Sequence, residues 1–193
     1  LIVYVTGDGG WPGDERLFDR MLPFGFPMAG FSSIDYVFEA INPASRTIDP
    51  PAIAADFQRV IDAAGQALKL PKDHPVVLIG FSRGASLSIA AAGVPVFRTR
   101  LQGVVALALA ADDVFVANAF EPYAALMKLD PLKVVVIQST RDEILSAAEA
   151  RRRLGADTAT RRLHAIDARD HSFGGKLDEL IAEIRASLDW LRR

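Results

Sequence analysis

Ser82 stands in Gly80-Phe81-Ser82-Arg83-Gly84, a G-x-S-x-G pentapeptide. The apolar, β-branched run Val76-Val77-Leu78-Ile79 leads into it, and Ala85, Ser86 and Leu87 follow it with residues that suit a helix. A strand, a sharp turn and a helix in that order lift a serine hydroxyl to the apex of the turn. Glycines flank the serine because strand and helix crowd together there and side chains at those positions would collide. A serine hydroxyl is a poor nucleophile at neutral pH. It needs a base within hydrogen-bond reach, and the base needs an acid that fixes its tautomer and stabilises the imidazolium.

The chain holds three histidines. His74 falls in a turn at the amino end of a predicted strand and His164 within one, so neither is well placed to reach Ser82. His171, in a loop after the last predicted strand, is in the right kind of place for the base. Asp142 follows the fifth predicted strand and is the candidate acid, with Glu143 beside it and Asp112 and Asp113 after the fourth strand as rivals. The order Ser82, Asp142, His171 along the chain is that of α/β-hydrolases. The negative charge of a tetrahedral intermediate calls for two backbone donors. One would come from Arg83 and the other from Asp8 or Gly9, in the side-chain-poor loop Gly7-Asp8-Gly9-Gly10-Trp11-Pro12-Gly13. A dinucleotide-binding reading of that loop fails, since Pro12 stands where the last glycine should be. Trp11, Phe38, Phe120 and Tyr123 are candidates for lining an acyl or substrate pocket, with plain core packing as the alternative. Arg151-Arg152-Arg153 and Arg161-Arg162 read as solvated charges, with contact to anionic lipid or phosphate as the second reading.

Six strands are expected to position these groups: Leu1 to Thr6, Pro27 to Ser32, Val76 to Phe81, Gly103 to Ala110, Lys133 to Gln138 and Arg161 to Ile166. Asp14 is expected to cap a helix whose Leu17, Phe18, Met21 and Leu22 share a face and which ends near Gly25. Ile53, Phe57, Val60, Ile61, Ala64 and Leu68 mark a second helix, from Ala52. An Ala- and Ser-rich helix follows Ser82 and stops at Gly93 and Pro95. Further helices are predicted from about Ile144 to Leu154 and from Leu177 to Leu191. Ser33 to Pro51 reads as an irregular surface excursion. Asp112 to Pro131 reads as a long connection with short helices, of the kind that shapes a pocket. Alternating strands and helices predict an α/β fold: a doubly wound, mostly parallel sheet of about six strands with helices on both faces. Sites on such sheets lie at the carboxyl ends of the strands, where Ser82, Asp142 and His171 all fall.

With 193 residues, half of them apolar, one α/β-hydrolase domain over residues 1–193 is expected. A formal charge of -2 lacks the basic excess of nucleic-acid binders. Cysteine is absent, which excludes disulfides, thiolate metal sites and a Cys nucleophile. The proposed chemistry needs neither metal nor cofactor. The longest apolar run, Val104 to Ala111, is far short of a membrane span. The chain opens on a strand without an initiator Met, which reads as an excised or mature piece whose upstream segment could hold a targeting signal.

Thr6-Gly7-Asp8-Gly9-Gly10-Trp11 resembles the S-G-D-G-G-W opening of the bacterial virulence protein VirJ and AcvB family, an α/β-hydrolase group. Gly30 to Phe38 is similar to that family's segment after the second strand, and Pro51 to Asp56 to its P-x-x-x-A-x-D helix start. Gly80 to Ala85 is similar to its G-Y-S-F-G-A turn. Arg83 replaces the family's Phe and Ser86 its Asp. The ending Asp170-His171-Ser172-Phe173 is closer to the D-H-S-F of other small α/β-hydrolases. The resemblance implies a periplasmic serine hydrolase acting on a carboxylic ester of a small molecule or lipid. For AcvB-type members it implies the aminoacyl ester of lysyl-phosphatidylglycerol, with links to virulence and type IV secretion. A rival expectation is a catalytically silent binding or secretion-assembly protein on the same fold.

Overall fold

Short runs of branched apolar residues supply six strands: β1 (Ile2–Val5), β2 (Met28–Phe31), β3 (Val76–Phe81), β4 (Leu101–Leu107), β5 (Lys133–Ser139) and β6 (Arg161–Ile166). In the computed structural model, which describes residues 1–193, they form one parallel sheet in the order β2-β1-β3-β4-β5-β6. Parallel neighbours need crossover connections, and eight helices occur in the chain: α1 (Gly10–Met21), α2 (Ser33–Ala40), α3 (Pro50–Ala67), α4 (Arg83–Ala92), α5 (Pro95–Arg98), α6 (Pro122–Leu126), α7 (Ala147–Leu154) and α8 (Leu177–Leu191). None is long and apolar enough to cross a membrane.

Alternate residues of each central strand enter opposite faces of the sheet, which is why the strands read as uninterrupted apolar runs. Val3, Val5, Leu78, Val104 and Val136 pack on one side with α3, α4 and α7. Ile2, Tyr4, Ile79, Val105 and Ile137 pack on the other with α1 and α8. Every residue of α4 from Gly84 to Ala92 is buried. Its small Ala and Ser side chains let it lie close to the sheet, whereas an amphipathic helix would have kept a wet face.

The chain leaves β1 toward α1 on one face and leaves β3 toward α4 on the other. Between these neighbouring strands the winding reverses, and a crevice opens at their carboxyl ends. The chain passes through this junction at van der Waals limits. A Cβ on Gly84 would overlap the carbonyl oxygens of Val5 and Thr6, and one on Gly80 would overlap the backbone of Gly84 and Ala85.

Four local expectations are corrected. Residues 33–40 form α2 instead of an irregular stretch. The Ser32 hydroxyl accepts from the Asp35 amide at 3.4 Å and Val37 is buried, but eight residues ending just before Asn42-Pro43 carry too little periodicity to stand out. The first helix begins at Gly10, and Asp14 lies inside it, buried, with no capping role. The α7 helix starts at Ala147 behind the Ser146 cap, because residues 142–145 are spent on a turn around the Asp142 carboxylate. Finally, β4 starts at Leu101, two residues before Gly103.

Two glycine substitutions are expected to move stability in opposite directions. Gly84→Ala should destabilise by at least about 3 kcal/mol, because only backbone surrounds the new methyl group. Gly13→Ala, in a helix with nothing within 4 Å of the added Cβ, should stabilise by about 0.5–1 kcal/mol. Urea unfolding of the two variants beside the parent protein checks both signs.

Candidate active site

Ser82 occupies the turn between β3 and α4 with φ 50° and ψ −114°, a conformation that L residues adopt at a cost of about 1–3 kcal/mol. The surroundings hold it there. The Ser82 amide donates to the Leu107 carbonyl on β4 at 2.8 Å, and its carbonyl accepts from the amides of Ala85 and Ser86. The turn aims Oγ at the loop beyond β6, where His171 Nε2 lies 2.9 Å away. His171 Nδ1 is 2.8 Å from Asp142 Oδ2. An ionised carboxylate can only accept, so Nδ1 carries the imidazole proton and Nε2 is free to accept from the serine.

Asp142 is fully enclosed at its side chain. Its Oδ1 accepts from the amides of Ile144 at 2.8 Å and Leu145 at 3.1 Å, and Gln138 Nε2 donates to Oδ2 at 2.9 Å. Burial pushes its carboxyl upward. The hydrogen bond and charge of His171 and the two amides outweigh that and hold it below the usual Asp value. The loops that carry Asp142 and His171 are also tied to each other. Ser139 Oγ donates to the Ala168 carbonyl at 3.2 Å and the Thr140 amide to the Ile166 carbonyl at 2.9 Å. The His171 amide donates to Glu143 Oε2 at 3.0 Å, and the Phe81 ring stands edge-on to the imidazole. Glu143 thus holds the backbone of His171, while Asp142 holds its ring.

The loop after β1 forms the opposite wall. A Cβ on Gly7 would overlap the Phe81 ring and meet Ser82 Cβ at 3.4 Å, so this backbone packs against the serine turn. Asp14 anchors it from within α1: Oδ2 accepts from the Gly7 amide at 2.8 Å and from Tyr4 Oη at 2.9 Å. Burial pushes the Asp14 carboxyl above its usual value, with the Gly7 and Tyr4 hydrogen bonds and the charge of His171 pulling the other way. The amides of Asp8, Gly9 and Arg83 donate to no protein acceptor. The side chains of the same residues also join loop to turn. The Arg83 guanidinium grips Asp8 through two contacts, at 2.9 and 3.0 Å, and lies 4.4 Å over the Phe115 ring.

Beside Ser82 these walls enclose a cavity of about 170 Å³, lined by Asp8, Arg83, Ser86, Asp113 and Phe115 among others. Asp112 also lines it, and the exposed side chains of Val114 and Ile144 stand at its rim. Asp112 and Asp113, rivals for the acid, therefore face the cavity; Asp113 Oδ1 is taken up by the Phe115 amide at 3.0 Å.

The expected pocket aromatics are not there. Trp11 points the other way from α1, packing against Tyr4 and Phe18 and over Gly30. Phe38 lies on the outer face of α2 and is 74% exposed. Phe120 packs against the core, and Tyr123 is buried there with its hydroxyl on the Leu109 carbonyl. Phe115, Val114 and Ile144 take the expected place of these residues, because the path of residues 112–121 and the turn at residues 142–145 decide which side chains reach the cavity. His164 pairs with Glu183 across the sheet edge at 3.2 Å. His74 lines a larger hollow of about 680 Å³ at the amino ends of the strands, with no serine, threonine or cysteine in its lining. Arg152 and Arg153 pair with Glu149, and Arg151 with Asp157, as solvated charges do.

Asp14 has a pH signature. A carboxyl held above its unfolded value binds more protons in the native state, so its contribution to stability falls as pH rises through that interval. Asp14→Asn should therefore gain on the parent protein as pH rises above 3.8, measured by urea unfolding across the acidic range. Asp14→Leu, which leaves the Tyr4 hydroxyl and Gly7 amide without an acceptor, should cost about 2–3 kcal/mol at neutral pH.

The fold that carries these residues has counterparts among solved structures. A carboxylesterase from Mesorhizobium loti aligns with a TM-score of 0.60 at 16% identity, over 97% of this chain and 88% of that one. A lidless α/β serine hydrolase from Xanthomonas campestris aligns at 0.60 and 18%, over 97% and 81%. An esterase from Pyrococcus furiosus aligns at 0.69 and 12%, over 98% and 81%. At these identities the likeness establishes the α/β-hydrolase fold. No curated protein matches the sequence significantly. The family described as bacterial virulence protein (VirJ) matches residues 1–162, from the Gly-rich loop through the serine turn and Asp142 into β6, and the chain belongs to that family.

Proposed function

We propose that this protein is a serine hydrolase that cleaves a carboxylic ester. The observation that carries the reading is the continuous hydrogen-bonded chain from Ser82 Oγ through His171 to Asp142, at 2.9 and 2.8 Å. Ser82 Oγ attacks the ester carbonyl carbon as its proton passes to His171 Nε2. The oxyanion is taken up by the amide of Arg83 and that of Asp8 or Gly9. His171 returns the proton to the departing alcohol oxygen, leaving an acyl group on Ser82. Water then attacks this ester with His171 as base, and Ser82 is released. Asp142 stays ionised and holds the imidazole tautomer throughout. A catalytically silent scaffold finds no support here, since it would not require nucleophile and base within hydrogen-bond distance.

The cavity favours a short acyl group. Its volume of about 170 Å³ is below the range of roughly 300–1,000 Å³ that holds drug-sized ligands. Three carboxylates, Asp8, Asp112 and Asp113, face it against one guanidinium, Arg83. That balance suits an acyl group bearing an ammonium and supports an aminoacyl ester such as lysyl-phosphatidylglycerol. The lipid part would then lie outside, over the apolar rim of Val114 and Ile144. Such a substrate belongs to the bacterial envelope, which supports a periplasmic site of action.

A fluorophosphonate probe is expected to label the wild-type protein and not Ser82→Ala, with kcat for ester hydrolysis lowered on the order of 10⁴-fold or more in the variant. Labelling that survives the substitution would remove Ser82 as nucleophile. Among substrates, kcat/KM should be higher for a lysyl ester than for the norleucyl ester of the same alcohol, and lowest for long-chain acyl esters. Equal values for lysyl and norleucyl esters would contradict the acidic-pocket assignment.

A further inference from the structure

Gln138 is the penultimate residue of β5 and has no solvent exposure. Its amide nitrogen donates to two acceptors, Asp142 Oδ2 at 2.9 Å and the Leu145 carbonyl at 2.6 Å. The first is the oxygen that receives His171 Nδ1. Since both neighbours can only accept, the amide orientation is fixed with nitrogen toward the turn. Its Oε1 faces the interior and has no hydrogen-bond partner.

A buried acceptor without a partner is a standing cost. An apolar side chain of similar volume would avoid it, in a strand whose neighbours Val134, Val135, Val136 and Ile137 are all apolar and buried. An amide kept at such expense points to work done by its nitrogen. We infer that Gln138 is a positioning residue that aims the Asp142 carboxylate at His171. The inference rests on reading Ser82, His171 and Asp142 as the hydrolytic unit.

Two effects follow from one side chain. Its bond to the Leu145 carbonyl closes the turn whose amides at 144 and 145 hold Oδ1, so both carboxylate oxygens are located. Its bond to Oδ2 shares that oxygen's charge with the imidazole. Without it, Oδ2 faces His171 alone, and the protonated form of the Asp142–His171 pair is favoured. Other groups bearing on this pair are Glu143 at the His171 backbone, Asp14 across the site and Tyr123, whose buried neutral hydroxyl is kept protonated in part by the charge of Asp142.

The test compares wild type, Gln138→Leu and Gln138→Glu on one activated short-chain ester. For Gln138→Leu the expected result is a folded protein with KM within about twofold, kcat lower by about 10- to 100-fold, and the acidic limb of kcat/KM displaced to higher pH. Gln138→Glu can donate to Oδ2 only while its carboxylic acid is protonated, so its activity relative to wild type at the same pH should be best at the acidic end and fall as that acid ionises. A purely structural role would lower activity in proportion to the folded fraction, read by urea unfolding, and leave the pH profile in place. That result, or a wild-type kcat in Gln138→Leu, overturns the inference. The His171 Nδ1–H proton resonance gives a readout independent of turnover: it should shift or broaden in Gln138→Leu, and an unchanged resonance also overturns it. A wild-type protein that turns over no ester and takes no fluorophosphonate would refute the hydrolytic reading instead, while the resonance still decides the role of Gln138.

Discussion

A hydrogen bond between His171 and Ser82 joins residues 89 apart in the chain, and the rest of the site has meaning only if that bond forms. Neither loop could hold such a position alone. The bond exists because β3, β5 and β6 run parallel, so the segments that follow them leave the sheet at the same end. Right-handed crossovers then put helices on both faces and leave that end free for side chains. The catalytic proposal is thus a consequence of topology before it is a consequence of residue type.

Around that bond the protein accepts several local costs. Ser82 sits at positive φ, Asp142 and Asp14 are carboxylates in largely buried positions, and Gln138 leaves one acceptor unpaired. Each is tolerated because its neighbours over-determine it. Gly80 and Gly84 permit backbone contact that any side chain would forbid, Asp14 has two donors, and Asp142 has four. The buried apolar faces of β1, β3, β4 and β5 and the wholly buried α4 supply the stability against which such costs are set. The Asp8–Arg83 pair adds a further connection, joining the loop after β1 to the serine turn by side chains while both backbones keep their amides free.

The parts of this architecture that are legible in the sequence are those written as contiguous patterns. The strand-turn-helix around Ser82 is one of them, and the placement of His171 follows from where the other two histidines must lie. Asp142 could be proposed from its position after a strand, but its advantage over Glu143, one residue on, is a matter of side-chain direction. What the chain conceals is long-range. Asp14 looks like a helix cap until the helix is seen to start at Gly10. Trp11, Phe38 and Phe120 look like aromatics of the serine pocket, but Trp11 lines a separate groove with Gly30 and Tyr36, Phe38 faces solvent, and the course of residues 112–121 sets Phe115 beside Ser82. Gln138 did leave a signal: a lone amide directly after the apolar run Val134 to Ile137, four residues before Asp142. Its meaning required knowing which carboxylate it faces.

If Ser82 is the nucleophile, its oxygen becomes covalently bound to the acyl group during turnover. Mass spectrometry of protein acid-quenched within the first turnovers of a slowly deacylating ester tests it most directly. One added acyl mass is expected, confined to the peptide that contains Ser82 and decaying as product appears. Steady turnover with no adduct on that peptide, or with the adduct on another residue, would contradict it.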